Sequence, residues 1–154
     1  MQRRTFLQGS LAGGAVAVAV SAGLLSPRSV LAAWPEGAFT AKSVQDAMSS
    51  LFGSAASTAT DDIKIKAPDI AENGAVVPVS VDSKIGGTSK IAIIAEKNGQ
   101  PLAASFDLGD KAQGFVSTRI KMGKTSDVIA VVEAGGKRYS TRKNVKVTIG
   151  GCGG

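Results

Sequence analysis

Val128-Ile129-Ala130-Val131-Val132-Glu133-Ala134-Gly135-Gly136-Lys137-Arg138-Tyr139-Ser140-Thr141 is the stretch that decides the fold. A β-branched apolar run meets two glycines, and a second run follows at once. Glycine takes positive φ without steric cost, so two in succession suit the two-residue turn of a β-hairpin. The segment reads as strand, turn, strand. Downstream, Val145, Val147 and Ile149 alternate with Lys146 and Thr148. Upstream, Val116, Thr118, Ile120 and Met122 alternate with Ser117, Arg119 and Lys121 until Gly123. A period of two places one set of side chains on a buried face and the other in solvent.

The same pattern extends back to Asp61. Ile63 and Ile65 alternate with Lys64 and Lys66 before Pro68-Asp69. Asn73-Gly74 precedes Val76–Val81, where Pro78, lacking an N–H, predicts an edge strand or a bulge. Ile91–Ile94 reaches Leu102–Leu108 through Lys97-Asn98-Gly99-Gln100, and Asn-Gly predicts a short hairpin. Ahead of these strands, Val44, Ala47, Met48, Leu51 and Phe52 share one helical face, which predicts a helix over Thr40–Phe52 capped by Thr40 and ended by Gly53. Residues 53–60 read as a connector. Short strands spaced by turns, with no helix between them, predict an all-β, immunoglobulin-like antiparallel sandwich with one N-terminal helix. A small barrel is the alternative.

At 154 residues the chain is sized for one core. It has no histidine and a single cysteine. That excludes Ser-His-Asp and Cys-His catalysis, His-ligated zinc or haem, and an internal disulfide. One thiolate cannot by itself hold a zinc ion or an iron–sulfur cluster. Neither a metal nor another cofactor is expected.

Residues 1–32 read as an export signal that is removed, with cleavage after Ala32 or Ala33. Arg3-Arg4-Thr5-Phe6-Leu7-Gln8 resembles the twin-arginine consensus, a Gly/Ala-rich stretch runs from Leu11 to Leu25, and Val30-Leu31-Ala32 is a small-residue exit. The stretch Leu11–Leu25 is shorter than the roughly 18–20 apolar residues of a membrane span, so no membrane anchor is expected. Export through that route implies a periplasmic protein that crosses the membrane already folded. Without residues 1–32 the chain carries 15 basic and 12 acidic groups, a net +3, unevenly placed: residues 111–154 hold 9 basic and 2 acidic groups. A mild excess with few aromatics gives no nucleic-acid groove. Lys137, Arg138, Arg142, Lys143 and Lys146 are candidates for steering anionic partners toward the C-terminal end; alternatively they simply occupy the solvent faces of strands.

The chain ends Ile149-Gly150-Gly151-Cys152-Gly153-Gly154. Residues 33–149 form the expected domain, and 150–154 a flexible arm in which Gly150, Gly151, Gly153 and Gly154 flank the only thiol. The three residues past Ile149 span about 10 Å at roughly 3.3–3.6 Å each. A free thiol with pKa near ~8.5 is only a few per cent thiolate at neutral pH. A reachable thiol with no histidine to activate it suits a covalent carrier, whose activation is supplied by another protein. A disulfide to a partner is the alternative for a structural or binding module, and a thiol peroxidase is disfavoured by the lack of a second, resolving cysteine.

The run Val145-Lys146-Val147-Thr148-Ile149-Gly150-Gly151-Cys152-Gly153-Gly154 resembles the carrier arm of the SoxY family, sulfur carriers of the periplasmic Sox thiosulfate-oxidation system. The twin-arginine signal, the helix near 40–52 and the stretch Ala67–Val79 fit that resemblance. It implies an immunoglobulin-like sandwich, a SoxZ-like partner in a heterodimer, and Cys152 as the covalent attachment site for sulfur intermediates. It also implies transient contact with SoxAX, SoxB and SoxCD-type enzymes. The carrier itself is then no enzyme.

Overall fold

The computed structural model describes residues 34–150; the segment 1–33, which includes the expected signal, and residues 151–154 lie outside the described residues. Among the described residues, two short helices, α1 (Glu36–Thr40) and α2 (Val44–Phe52), precede nine strands. These are β1 (Thr58–Ala59), β2 (Ile63–Lys66), β3 (Ile70–Ala71), β4 (Val77–Ser83), β5 (Thr88–Ala95), β6 (Leu102–Asp107), β7 (Phe115–Ile120), β8 (Ser126–Ala134) and β9 (Lys137–Val147).

The strands form two sheets. One has the order β1-β9-β8-β5-β6, with β3 also on β9; the other is β2-β4-β7. Two separate sheets are the expected immunoglobulin-like sandwich, and the barrel is not formed. Between them lies the main core: Ile91, Ile93, Val128, Ala130, Val132 and Val145 from the large sheet meet Ile63, Val77, Val79, Val81, Val116 and Ile120 from the small one.

The hairpin read from Gly135-Gly136 is present as a tight turn. Ala134 pairs with Lys137, and φ is 57° at Gly135 and 73° at Gly136. Positive φ at both central residues is the signature of a type I′ turn, whose twist matches the strands it joins.

The continuous apolar runs of β5 and β8 have a physical reason. Ala92, Ile94, Ile129 and Val131 point away from the sandwich core and pack with Ala38, Ala47 and Met48 of the helices. Strands covered on both faces lose the polar half of their alternation.

Several local expectations are corrected. The helix predicted over Thr40–Phe52 starts later, at Val44, and Thr40 instead ends a separate helix, α1, with Ala41–Ser43 between the two. Thr40 caps no helix start: its hydroxyl donates to Glu36 O at 2.9 Å, one turn back in α1. Ser43 is the N-cap of α2, its Oγ accepting from Asp46 N at 3.0 Å. Gly53 ends α2 as predicted, at φ 75°. Pro78 lies in the middle strand of its sheet, neither in an edge strand nor at a bulge. Pairing with β2 stops at Ser80, so at Pro78 the strand has a neighbour on the β7 side alone. The runs 137–141 and 145–149 are joined in one 11-residue strand, which ends at Val147. The connector 53–60 and residues 70–71 contribute β1 and β3, which pair with β9 in parallel, so the sandwich is not purely antiparallel. Asn98-Gly99 does sit between hairpin strands, but neither residue has positive φ, and the connection runs from Glu96 to Pro101.

Replacement of Ile94 by Ala tests the helix layer. It removes buried methyl groups between sheet and helices and should lower unfolding free energy by about 2–5 kcal/mol in equilibrium urea denaturation. A loss within experimental error would mean that the helices do not cover this face.

Candidate functional site

The candidate site is the end of β9 from which the C-terminal segment departs. Its backbone is held from both sides. Lys146 N donates to Asp69 O at 2.9 Å and Thr148 N to Ala71 O at 3.1 Å, which continues the β3 pairing. The Thr148 hydroxyl donates to Glu72 O at 3.0 Å. Opposite, the Thr125 hydroxyl accepts from Val147 N at 2.9 Å and donates to Val147 O at 3.3 Å. One side chain thus closes both hydrogen bonds of the last strand residue.

Beyond the strand, Gly74 N donates to Ile149 O at 2.7 Å, and Met122 N donates to Gly74 O at 2.7 Å. Met122 is fully buried and fixes its loop from below. Asn98 brackets Met122: its Nδ2 donates to Lys121 O at 2.7 Å, and its Oδ1 accepts from Gly123 N at 2.9 Å. Gly150 then lies against Gly123, and a Cβ built at Gly150 would overlap the Gly123 carbonyl oxygen. Ile149 and Val76 expose large apolar side chains at this end, at 68% and 54%. Of the sequence-derived arm, Gly150 is described; Gly151, Cys152, Gly153 and Gly154 lie outside the described residues.

The five basic candidates are distributed along β9 and do not converge. Lys137 and Arg138 start the strand, roughly 30 Å from its arm end at about 3.3 Å per residue. Arg138 donates to Ala56 O at 3.2 Å and to Phe52 O at 3.3 Å, with Glu133 at 4.0 Å, so it closes the C-terminus of α2. Arg142 pairs with Asp127 at 3.3 Å and Glu96 at 3.9 Å. Lys143 donates to Ala67 O at 2.7 Å and pairs with Asp69 at 3.0 Å. Lys146 is exposed, close to the arm, and has no ion-pair partner among the described residues. Lys121 and Lys124 flank Gly123 at the same end.

Sequence reasoning missed Asn98, Thr125 and Gly123 as supports of the arm. Asn98 was legible as a turn residue, but its partners lie 23 and 25 positions away, and nothing local announces that pairing. A shallow groove of about 450 Å³ lined by Lys64, Ile65, Lys66, Ser80, Asp82 and Phe115 lies on the small sheet. Its Asp82–Phe115 pair is at the opposite end of the β4–β7 ladder from Val77–Ile120, so the groove is separate from the arm. Among the described residues no cluster of His, Cys, Asp or Glu could hold a metal ion. No helix among them is long and apolar enough to cross a membrane.

The family model described as sulfur oxidation protein SoxY matches residues 48–152. Among solved structures, the sulfur carrier protein SoxY from Chlorobium limicola f thiosulfatophilum is 45% identical, with a TM-score of 0.63, over 69% of this chain and 96% of that one. A superoxide reductase (neelaredoxin) from Ignicoccus hospitalis is 19% identical, with a TM-score of 0.51, over 57% of this chain and 81% of its own. That likeness is one of fold alone. No curated protein sequence matches.

Thr125→Val keeps the shape of the side chain and removes both bonds to Val147. Unfolding free energy should fall by about 1 kcal/mol, and the Val147 amide should exchange faster while the β8 amides keep their protection. Unchanged Val147 exchange would show that the hydroxyl does not hold the strand end.

Proposed function

The chain belongs to the SoxY family of sulfur oxidation proteins, and from that premise we propose that it carries sulfur intermediates covalently on Cys152 and presents them to partner enzymes. The observation that carries this reading is the extent of the family match. It runs to residue 152, taking in the only cysteine of the chain, and β9 leads out to that cysteine through exposed Ile149 and Gly150.

The chemistry follows from what the chain has and lacks. The Cys152 thiolate and the outer sulfur of thiosulfate form an S–S bond with the loss of two electrons, giving a cysteine S-thiosulfonate. With no histidine and one cysteine, the sequence offers no ligand set for a haem or an iron–sulfur cluster to take those electrons, and on this reading a haem enzyme of the SoxAX type accepts them. Addition of water at the terminal sulfonate sulfur by a SoxB-type hydrolase then releases sulfate and two protons, leaving the sulfane sulfur on Cys152. A SoxCD-type enzyme, in hosts that have one, oxidises that sulfur further. With no histidine in the chain, the thiol has no imidazole base. Its role is that of substrate attachment, and catalysis belongs to the visitors.

The remaining assignments belong to the same reading. Residues 1–32 are a twin-arginine signal removed on export to the periplasm. Residues 33–149 are the body, which pairs with a SoxZ-like subunit, and Gly150, Gly151, Gly153 and Gly154 with Cys152 form the slender arm. The adducts on Cys152 are anionic, and Lys146 is the cation of the original five that is both close to the arm and without an ion-pair partner among the described residues.

Two outcomes test the function. Cys152→Ser should fold and pair with its partner but gain no thiosulfate mass in the complete system; an adduct at another residue would overturn the assignment. Lys146→Glu should slow loading several-fold at low ionic strength and little at high salt, whereas Lys137→Glu, roughly four Debye lengths of about 8 Å away, should leave loading unchanged. Equal effects of the two substitutions would remove Lys146 from any steering role.

A further inference from the structure

We propose that Gly150 is a seat: it is the fixed root of the C-terminal segment, docked on the Gly123 backbone that Asn98 holds in place. This rests on the carrier reading only in treating the C-terminal residues as an arm.

The contacts around Gly150 close a ring. Ile149 O accepts from Gly74 N, and Gly74 O accepts from Met122 N. Met122 is joined to Gly123, whose carbonyl faces Gly150, and Gly150 is joined back to Ile149. Gly150 does not have positive φ, so its backbone conformation is open to any residue. The requirement for glycine is steric. A methyl group here would meet the Gly123 carbonyl, a backbone atom that cannot rotate aside as a flexible side chain can. Gly123 itself has little freedom to retreat. Its N–H is bonded to Asn98 Oδ1, the same amide holds Lys121 O, and the Met122 side chain between them is buried in the core.

The consequence is a shorter tether. Counted from Ile149, three residues give about 10 Å of reach; counted from a fixed Gly150, two residues give about 7 Å at roughly 3.3–3.6 Å each. A segment anchored at Gly150 therefore has one residue less of reach than the run of glycines suggests.

The test uses the full chain with a nitroxide on Cys152, its only thiol, and compares Gly150→Ala, Gly151→Ala and Asn98→Ala. Amide exchange at Gly74 reports whether the bond to Ile149 is intact, and the nitroxide line shape reports arm motion. In Gly150→Ala and Asn98→Ala the Gly74 amide should exchange on the order of tenfold faster, and the label should become more mobile. In Gly151→Ala the Gly74 amide should be unchanged and the label slower. Gly74 exchange unaffected by either Gly150→Ala or Asn98→Ala would overturn the proposal, as would equal label mobility in the two glycine variants. Exchange at Val131, deep in β8, checks that each variant is folded; if Gly150→Ala does not fold, Asn98→Ala decides alone. Neither readout involves sulfur chemistry, so failure of Cys152 to take up thiosulfate would remove the carrier reading and leave the seat standing.

Discussion

The pairing of β9 is the constraint on which most of the molecule depends. Along one edge it is hydrogen-bonded to β8 from Lys137 to Val145; along the other it takes β1 at Tyr139–Ser140 and β3 at Lys146–Val147. Its register is set at one point, the turn whose two glycines both have positive φ. A slip of one residue would turn Val145 out of the core and Lys146 into it, because side chains alternate between faces. The same register determines where Gly150 leaves the body. Core packing and arm placement are thus one geometric decision, made some 14 residues before the arm begins.

The cations of β9 take on a different meaning in this setting. Arg138 closes the end of α2, Lys143 holds the Ala67 carbonyl, and Arg142 meets Asp127 and Glu96. Arg138 and Lys143 bind to β9 irregular segments that the strand does not hold by backbone pairing, and Arg142 ties it to β8 and to the loop at Glu96. Charge reversal at Arg138 or Lys143 would disturb packing as well as any long-range field, so kinetic effects there could not be assigned to steering. Lys146 is the position at which field and scaffold separate most cleanly.

Much of this was legible in sequence, for reasons that differ by element. Alternation in 116–122 and 145–147 and the Gly135-Gly136 turn are local signals, and the structure has the strands and turn they announce. The break at Ala41–Ser43 was hidden because apolar spacing runs through Val44–Phe52 without marking where the helix starts. The helix layer was hidden in a second way. Ala92, Ile94, Ile129 and Val131 look like core whichever face they occupy, and only assembly shows that they face the helices. Asn98 is the sharpest case: Asn-Gly is a hairpin signal through backbone conformation, yet here the backbone does not use positive φ and the side chain instead reaches a loop 25 residues on. A short-range rule identified the residue and missed its work.

A carrier makes opposite demands on its two parts. On the proposed reading, a thiol that enters several active sites needs little bulk around it, which flanking glycines would supply; the point of departure must be reproducible, or each enzyme would have to search for it. Rigidity at the root lowers the conformational entropy lost when the thiol is bound, because fewer torsions remain to be fixed. The hydrogen bonds at Val147, Thr148 and Ile149 provide that rigidity before any enzyme arrives. Reactivity divides in the same way. A thiol of ordinary pKa is mostly protonated at neutral pH and reacts slowly with stray oxidants, whereas a strongly acidified one is exposed to attack at all times. The chain has no histidine to form a Cys-His pair, so on the proposed reading the acceleration would be supplied by the site that receives the arm. On the proposed reading, a body that positions the thiol and leaves its activation to the visiting site would confine the chemistry to the enzymes that can reach it.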